Sequence, residues 1–189
     1  MSNAIVFLDV DGVLVHQHYE NKETYDIHPD KVRLLKHICE ETNASVVIIS
    51  SWRGGPDWTP KSYQVLRKVL ENAGITVLGD APHIPCELIG PKNADGTISG
   101  TLEDFQTKYT VVHGTGRAAE VEQYLKEHPT DAYVILDDEN FAWKEYGLHT
   151  HWVQPSWFGQ ALTEPLAEQA IEILKGNEVT LCHPTTDMS

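Results

Sequence analysis

The sequence predicts an α/β protein, a three-layer sandwich in which helices cover both faces of a parallel sheet. Two observations support this prediction. Short apolar runs alternate with stretches whose apolar residues recur at helical spacing, a pattern typical of parallel sheets. The chain also has 189 residues, 41% of them hydrophobic, which is enough for one substantial core. We therefore expect one domain over residues 1–177, followed by a tail over residues 178–189.

The apolar runs and the amphipathic stretches give the predicted elements. The predicted strands are Ile5–Leu8, Ser45–Ile49, Ile75–Leu78, Tyr133–Leu136 and His149–Val153. The predicted helices are Pro29–Thr42, Pro60–Asn72, Arg117–Glu127 and Glu164–Lys175. Proline in the first turn and glycine just past the end are helix start and stop signals, and both occur among these helices.

Two segments interrupt the alternation of strands and helices. Residues 15–28 form a polar and aromatic connection that is longer than a usual strand-to-helix loop. Residues 80–114 form a larger insertion rich in proline and glycine turns, with Tyr109–Val112 as a short extra strand. We expect the first segment to contain a flap and the second to form a small cap.

The charge balance limits the classes of partner. Fourteen Lys and Arg residues against 28 Asp and Glu residues give a formal net charge of −14. A field of that sign repels polyanions, so broad nucleic-acid binding is disfavoured. No apolar run is long enough for a membrane span. The three cysteines have no CxxC spacing, which favours reduced thiols and a cytoplasmic protein.

Polar side chains follow three predicted strands at the end where parallel α/β sheets bind ligands. They are Asp9 and Asp11 after the first strand, Ser50, Ser51, Trp52 and Arg53 after the second, and Asp137 and Asp138 after the fourth. Two carboxylates about 4 Å apart repel by roughly 4 kcal/mol at an effective dielectric of about 20. A hard divalent cation removes this repulsion, and Mg²⁺ prefers carboxylate oxygens. The pattern therefore predicts a Mg²⁺ site.

The spacing of the first pair of aspartates suits two linked chemical roles. Residues i and i+2 of a strand face the same way, so Asp9 and Asp11 can address one substrate. One carboxylate can then act as a nucleophile while the other carries a proton. Gly12 permits a tight turn directly after them.

Three stretches resemble the haloacid dehalogenase (HAD) superfamily in its phosphatase branch. "FLDVDGVLV" resembles the first motif, "VVIISSWR" the second and "VILDDE" the fourth, and their order agrees over roughly residues 4–175. Within the superfamily, "SSWR", "GRAAEVEQYL" and "YVILDDE" are most similar to HAD domains associated with RNA-repair proteins. The resemblance implies a Rossmannoid sheet with strand order 3-2-1-4-5 and small cap insertions.

The resemblance also implies roles for individual residues. Asp9 would form an aspartyl-phosphate, and Asp11 would protonate the leaving group and then activate water. Mg²⁺ would be held by the Asp9 side chain, the Asp11 backbone carbonyl, and Asp137 or Asp138. Ser50 would hydrogen-bond the phosphoryl group, in preference to the neighbouring Ser51.

The superfamily further requires a cation that stabilises the transferred phosphoryl group. Arg117 is the first choice, because it opens a helix whose N-terminus already favours an anion. Lys108 is the alternative. Arg53 is expected to be a second phosphate clamp. Trp52 is expected at the pocket rim, where it could stack on a base or a sugar.

Three functions are compatible with these residues. The leading one is a Mg²⁺-dependent phosphomonoesterase that acts on a nucleotide or another small phosphorylated metabolite. The second is a phosphatase that processes nucleic-acid ends, which the RNA-repair resemblance suggests and the net charge opposes. The third is a non-enzymatic HAD-like binding module, which the intact pair of Asp9 and Asp11 disfavours.

Overall fold

The computed structural model describes residues 4–16, 25–54, 59–90 and 110–177. Lys108, the tail over residues 178–189 and parts of both predicted caps lie outside the described residues. Within the described ranges, no helix is both long and apolar enough to cross a membrane.

Seven strands and four α-helices make up the regular structure of the described residues. The strands are β1 (Ile5–Leu8), β2 (Ser45–Ile48), β3 (Val77–Asp80), β4 (Leu88–Ile89), β5 (Thr110–Val111), β6 (Tyr133–Leu136) and β7 (Trp152–Val153). The helices are α1 (Pro29–Thr42), α2 (Lys61–Asn72), α3 (Gly116–Glu127) and α4 (Glu164–Leu174). Short 3₁₀ helices cover Ser51–Arg53 and His149–His151.

Five of the strands form one parallel sheet in the order β3-β2-β1-β6-β7. Numbered within this sheet, the order is 3-2-1-4-5, so the predicted topology and the HAD-type Rossmannoid fold are confirmed. The last residue of β1, Leu8, pairs with Ile48 on one side and Leu136 on the other. The three central strands therefore end level with one another, and the residues that follow them begin at the same edge.

The apolar residues of the sheet divide between two cores. In β1, Val6 and Leu8 belong to one cluster, whereas Ile5 and Phe7 belong to the other. The first cluster also contains buried residues of α1, α2 and α4, and the second contains residues of α3. A strand covered on both faces needs apolar residues at consecutive positions, which explains the unbroken run that precedes Asp9.

Two strands differ from their predicted bounds by more than one residue at an end. β3 covers Val77–Asp80 rather than Ile75–Leu78, because the Ile75 amide donates to the Leu70 carbonyl at 3.0 Å and so belongs to the end of α2. The segment His149–His151 is a 3₁₀ turn rather than part of β7. The His151 ring packs on Tyr133 and its Nδ1 lies 2.9 Å from the Tyr133 carbonyl oxygen, so a side chain replaces strand pairing there.

The predicted insertion over residues 80–114 contains a second, small sheet. β4 and β5 pair antiparallel through Leu88 with Val111 and Ile89 with Thr110. The predicted extra strand Tyr109–Val112 is thus present as Thr110–Val111, and Tyr109 lies outside the described residues.

Candidate active site

Three carboxylates converge at the edge of the sheet where β1 and β6 end. Oxygens of Asp9, Asp137 and Asp138 all lie within 4.8 Å of one another. Asp9 is 3% exposed and Asp137 is fully buried. The Asp9 amide donates a hydrogen bond to the Leu136 carbonyl at 2.9 Å. The pairing of β1 with β6 therefore sets the spacing between the backbones of Asp9 and Asp137. Asp137 and Asp138 were alternative candidates for one metal ligand, and both belong to the cluster.

The turn after β1 brings Gly12 against Asp138. Gly12 has φ +71°, a conformation that favours glycine, and its amide donates to the Val15 carbonyl at 2.8 Å. A Cβ atom placed at Gly12 would lie 2.2 Å from Asp138 Cγ and 2.5 Å from Asp138 Cβ. The absence of a side chain at residue 12 is therefore what lets the Asp138 carboxylate reach the cluster.

Arg117, at the start of α3, reaches into the same cluster. Its Nη1 lies 2.7 Å from Asp137 Oδ2 and 3.3 Å from Asp9 Oδ1. The guanidinium carbon stands 4.3 Å above the centre of the Phe141 ring, which adds a cation–π contact. Arg117 is therefore held beside the expected nucleophile, as a phosphoryl-stabilising cation would have to be.

Burial and mutual repulsion raise the pKa values of the acidic groups. Burial raises the pKa of Asp137 well above its ordinary range; repulsion from Asp9 adds to this, while Arg117 opposes it. Burial, with repulsion from Asp9, raises the pKa of Asp138 to about 7. For Arg117, burial opposes the charge, but attraction to Asp137 and Asp9 outweighs it and raises the pKa. Arg117 therefore does not fully offset the cost of ionising these buried carboxylates.

The donor atoms of this cluster fit a hard divalent cation. All three side chains offer carboxylate oxygens, which are the ligands that Mg²⁺ prefers. Such a cation would favour the ionised forms of Asp137 and Asp138, against the burial and the repulsion from Asp9 that raise their pKa values.

The loop after β6 is fixed by two buried indoles. Trp152 donates from Nε1 to the Asp137 carbonyl at 2.8 Å, and Trp143 donates from Nε1 to the Glu139 carbonyl at 2.9 Å. The Asp137 side chain in turn accepts a hydrogen bond from the Glu139 amide at 2.9 Å. These contacts fix the backbone on both sides of Asp138 and one carboxylate oxygen of Asp137.

Trp52 does not occupy the pocket rim as the sequence suggested. Its side chain is in the core and the residue is 7% exposed, with the Tyr25 ring packed edge-on at a centroid distance of 6.0 Å. The indole Nε1 donates a hydrogen bond to Asp11 Oδ2 at 2.8 Å. Trp52 therefore packs in the core and binds the expected acid/base group, Asp11, through its indole N–H. This buried position does not match the expected stacking on a base or a sugar.

Arg53 is also directed into the protein and not toward a substrate. Its guanidinium donates to the carbonyls of Ser50, Ala81 and Ile49 at 2.8, 2.8 and 3.1 Å, and to Glu120 Oε2 at 2.7 Å. These contacts use four of the five N–H donors of an arginine. The expected second phosphate clamp is thus a buried structural group that ties β2 to α3.

The two serines of the second motif differ in their surroundings. Ser50 is fully buried, and its Oγ accepts a hydrogen bond from the Trp52 amide at 3.3 Å, whereas Ser51 is exposed. A hydroxyl that accepts one hydrogen bond can still donate another, so this contact is compatible with the expected bond from Ser50 to a phosphoryl oxygen.

Glu120 is a site-supporting residue that the sequence reasoning missed. It is 3% exposed, accepts from Arg53, and also accepts from the Ile84 amide at 3.0 Å. It follows Arg117 by three residues on α3, so both side chains lie on one face of the helix. The sequence does place this carboxylate among apolar residues, which could have indicated a buried acid. Its partner Arg53, however, lies 67 residues away in the sequence.

Comparison with known proteins agrees with this geometry. Residues 5–167 match the family of the HAD domain in Swiss Army Knife RNA repair proteins, a stretch that contains all the motif residues named above. Comparison with curated proteins gave no match. The HAD superfamily is one of hydrolases and phosphatases that generally use a divalent metal, and the acidic cluster agrees with both properties. By its fold, its site and this match, the chain belongs to the family of HAD domains found in Swiss Army Knife RNA repair proteins.

Proposed function

We propose that this protein is a Mg²⁺-dependent phosphomonoesterase that acts through an aspartyl-phosphate on Asp9. One observation carries the proposal. Asp9 lies within 4.8 Å of two further carboxylates and 3.3 Å from the Arg117 guanidinium. A nucleophile for phosphoryl transfer needs such surroundings, because catalysis consists mainly of positioning and of stabilising charge on the transferred group.

The cation would be held by oxygen atoms that this chain supplies. The side chains of Asp9, Asp137 and Asp138 are the candidates, together with the Asp11 backbone carbonyl. When bound, Mg²⁺ supplies positive charge that offsets the carboxylates and the phosphoryl oxygens.

The protein groups then divide the reaction between them. An Asp9 oxygen forms a bond to phosphorus while the bond from phosphorus to the leaving oxygen breaks, and Asp11 gives its proton to that oxygen. Asp11 next removes a proton from water, which attacks the aspartyl-phosphate and frees Asp9 and inorganic phosphate. Arg117 stabilises the charge on the transferred phosphoryl oxygens throughout, and Ser50 donates a hydrogen bond to one of them.

Two substrate classes follow from different observations. The net charge of −14 favours a nucleotide or another small phosphorylated metabolite over a polyanion. The family description, which refers to RNA repair proteins, favours a phosphorylated nucleic-acid end as the second candidate.

A phosphatase screen tests this proposal. The wild-type protein is assayed with Mg²⁺ and with EDTA against nucleotides, sugar phosphates and oligonucleotides phosphorylated at the 3′ or 5′ end. We expect Mg²⁺-dependent release of phosphate from at least one class, and loss of that release in Asp9→Asn, which keeps the shape of the side chain. Phosphate release that persists in Asp9→Asn above about a hundredth of the wild-type rate would exclude Asp9 as the nucleophile.

A further inference from the structure

We infer that Trp52 is a positioning residue that orients the Asp11 carboxylate for proton transfer to the leaving group. This inference rests on the proposed function and goes beyond it by assigning a role to the tryptophan of the second motif. It starts from the hydrogen bond of 2.8 Å between Trp52 Nε1 and Asp11 Oδ2.

The hydrogen bond is well suited to fixing a carboxylate. An indole N–H can only donate a hydrogen bond, so it cannot take the proton that Asp11 transfers. The terminal torsion of aspartate has broad minima, so a hydrogen bond to one carboxylate oxygen narrows the range of orientations that Asp11 can adopt. Asp11 is only partly buried, whereas Trp52 is 7% exposed and packs in the core. The buried indole therefore limits the rotation of the Asp11 carboxylate.

The indole is itself held by the contacts of the short helix that carries it. Ser50 Oγ accepts from the Trp52 amide, and Arg53 binds the carbonyls of Ile49, Ser50 and Ala81. The ion pair of Arg53 with Glu120 has side chains that are 8% and 4% exposed. The 3₁₀ helix is thus fastened to β2, to the end of β3 and to α3. Every residue of "SSWR" except the exposed Ser51 contributes to fixing the position of the indole.

Loss of this positioning should affect substrates with poor leaving groups more than substrates with good ones. A general acid acts only within hydrogen-bond reach of the leaving oxygen, and its contribution is about 10²–10⁴-fold. An alkoxide needs this proton in order to leave, whereas 4-nitrophenolate is stable enough to leave without it. A displaced Asp11 should therefore slow the cleavage of alkyl phosphates more than that of 4-nitrophenyl phosphate. A structural role alone would slow both reactions alike.

The kinetic test compares these two esters in Trp52→Phe, which keeps an aromatic ring and removes the N–H. Relative to wild type, kcat/KM should fall by about tenfold or more for an alkyl phosphate and by less than about threefold for 4-nitrophenyl phosphate. Trp143→Phe is the matched control, because it also removes a buried indole N–H, in this case from the Glu139 carbonyl. Any loss in this control should be the same for both esters.

A spectroscopic test is independent of activity. The chain has five tryptophans, so a ¹H–¹⁵N spectrum should show up to five indole N–H signals. Asp11→Ala should shift one of them and speed its exchange with water, and Trp52→Phe identifies that signal by its loss. If Trp52→Phe does not fold, the Asp11→Ala spectrum alone decides whether an indole bonds to Asp11.

Equal losses for both esters in Trp52→Phe, or no shifted indole signal in Asp11→Ala, would overturn the positioning role and leave the phosphatase proposal intact. A wild-type protein that hydrolyses neither ester nor any substrate of the screen would overturn the proposed function, and the positioning role with it.

Discussion

Replacement of Gly12 by alanine tests how the acidic cluster is built. Gly12 has φ +71°, and an added Cβ would lie 2.2 Å from Asp138 Cγ. It would also lie 2.5 Å from Asp138 Cβ, which cannot move away unless the backbone after β6 moves. Gly12→Ala should therefore displace Asp138 from Asp9 and Asp137 as well as strain its own backbone.

Gly74 separates these two effects, because it has nearly the same conformation without the contact. Its φ is +77°, and a Cβ there would meet nothing within 4 Å. A left-handed alanine costs about 1–2 kcal/mol, and each kcal/mol lowers Tm by about 2–4 °C in a chain of this length. Gly74→Ala should therefore lower Tm by about 2–8 °C, and Gly12→Ala should lower it by more.

The second part of the prediction concerns Mg²⁺. A ligand at about 100 times its Kd stabilises the folded state by about 2.7 kcal/mol, which corresponds to a rise in Tm of about 5–11 °C. Wild type and Gly74→Ala should both show this rise when melted with millimolar Mg²⁺ instead of EDTA. Gly12→Ala should lose most of it, because one carboxylate has left the cluster.

Thermal melts of the three proteins in both buffers supply the comparison. An equal rise in Tm with Mg²⁺ in Gly12→Ala and in wild type would refute the reasoning, because Asp138 would then not be needed for cation binding. No rise in any of the three proteins would refute the cation site itself.

Three further predictions concern Arg117, the acidic groups and Arg53. Arg117→Ala should lower kcat by about 10²–10³-fold, the cost of losing one stabilising group at a transferred charge; if Lys108→Ala loses activity and Arg117→Ala does not, the cation is Lys108. Because the pKa of Asp138 is raised to about 7, the folded protein retains a proton there that the unfolded chain loses near pH 4. In EDTA its Tm should therefore fall from pH 5 to pH 8, and Mg²⁺ should reverse the fall; a Tm that rises with pH in EDTA would contradict this. Arg53→Ala should cost about 3–5 kcal/mol of unfolding free energy in urea because the buried Glu120 carboxylate loses its guanidinium partner, whereas a phosphate clamp would raise KM with little change in stability.

The sequence by itself determined the fold class and the acidic residues at the ends of the strands, and the resemblance of its motifs to the HAD superfamily supplied the strand order. The unbroken apolar run before Asp9 indicates a strand covered on both faces, and its alternation with helices indicates a parallel sheet. The ligand-binding edge of such a sheet lies at the carboxyl ends of its strands, so the aspartates after the first and fourth strands could be placed together. These patterns involve residues that are close in the sequence, so they can be recognised without the tertiary structure.

Only the tertiary structure decided what Trp52 and Arg53 do. Both follow a strand at the expected edge, and from the sequence both were assigned to the substrate. Their partners, Asp11 and Glu120, lie 41 and 67 residues away. Whether an indole or a guanidinium turns to the pocket or to the core depends on which acceptor comes within reach after folding. For Arg53 that acceptor is the buried Glu120 carboxylate, which would be costly to leave without a cation.

The same reason explains the role of Gly12. The sequence predicts a turn there, and the turn is present, but it does not show that a methyl group at this position would overlap Asp138, 126 residues further along the chain. The aspartates, Ser50 and Arg117 could therefore be identified from the sequence, whereas Glu120 could not. Which oxygen, ring or backbone carbonyl each one meets was settled by the packing of β1, β2, β6 and α3.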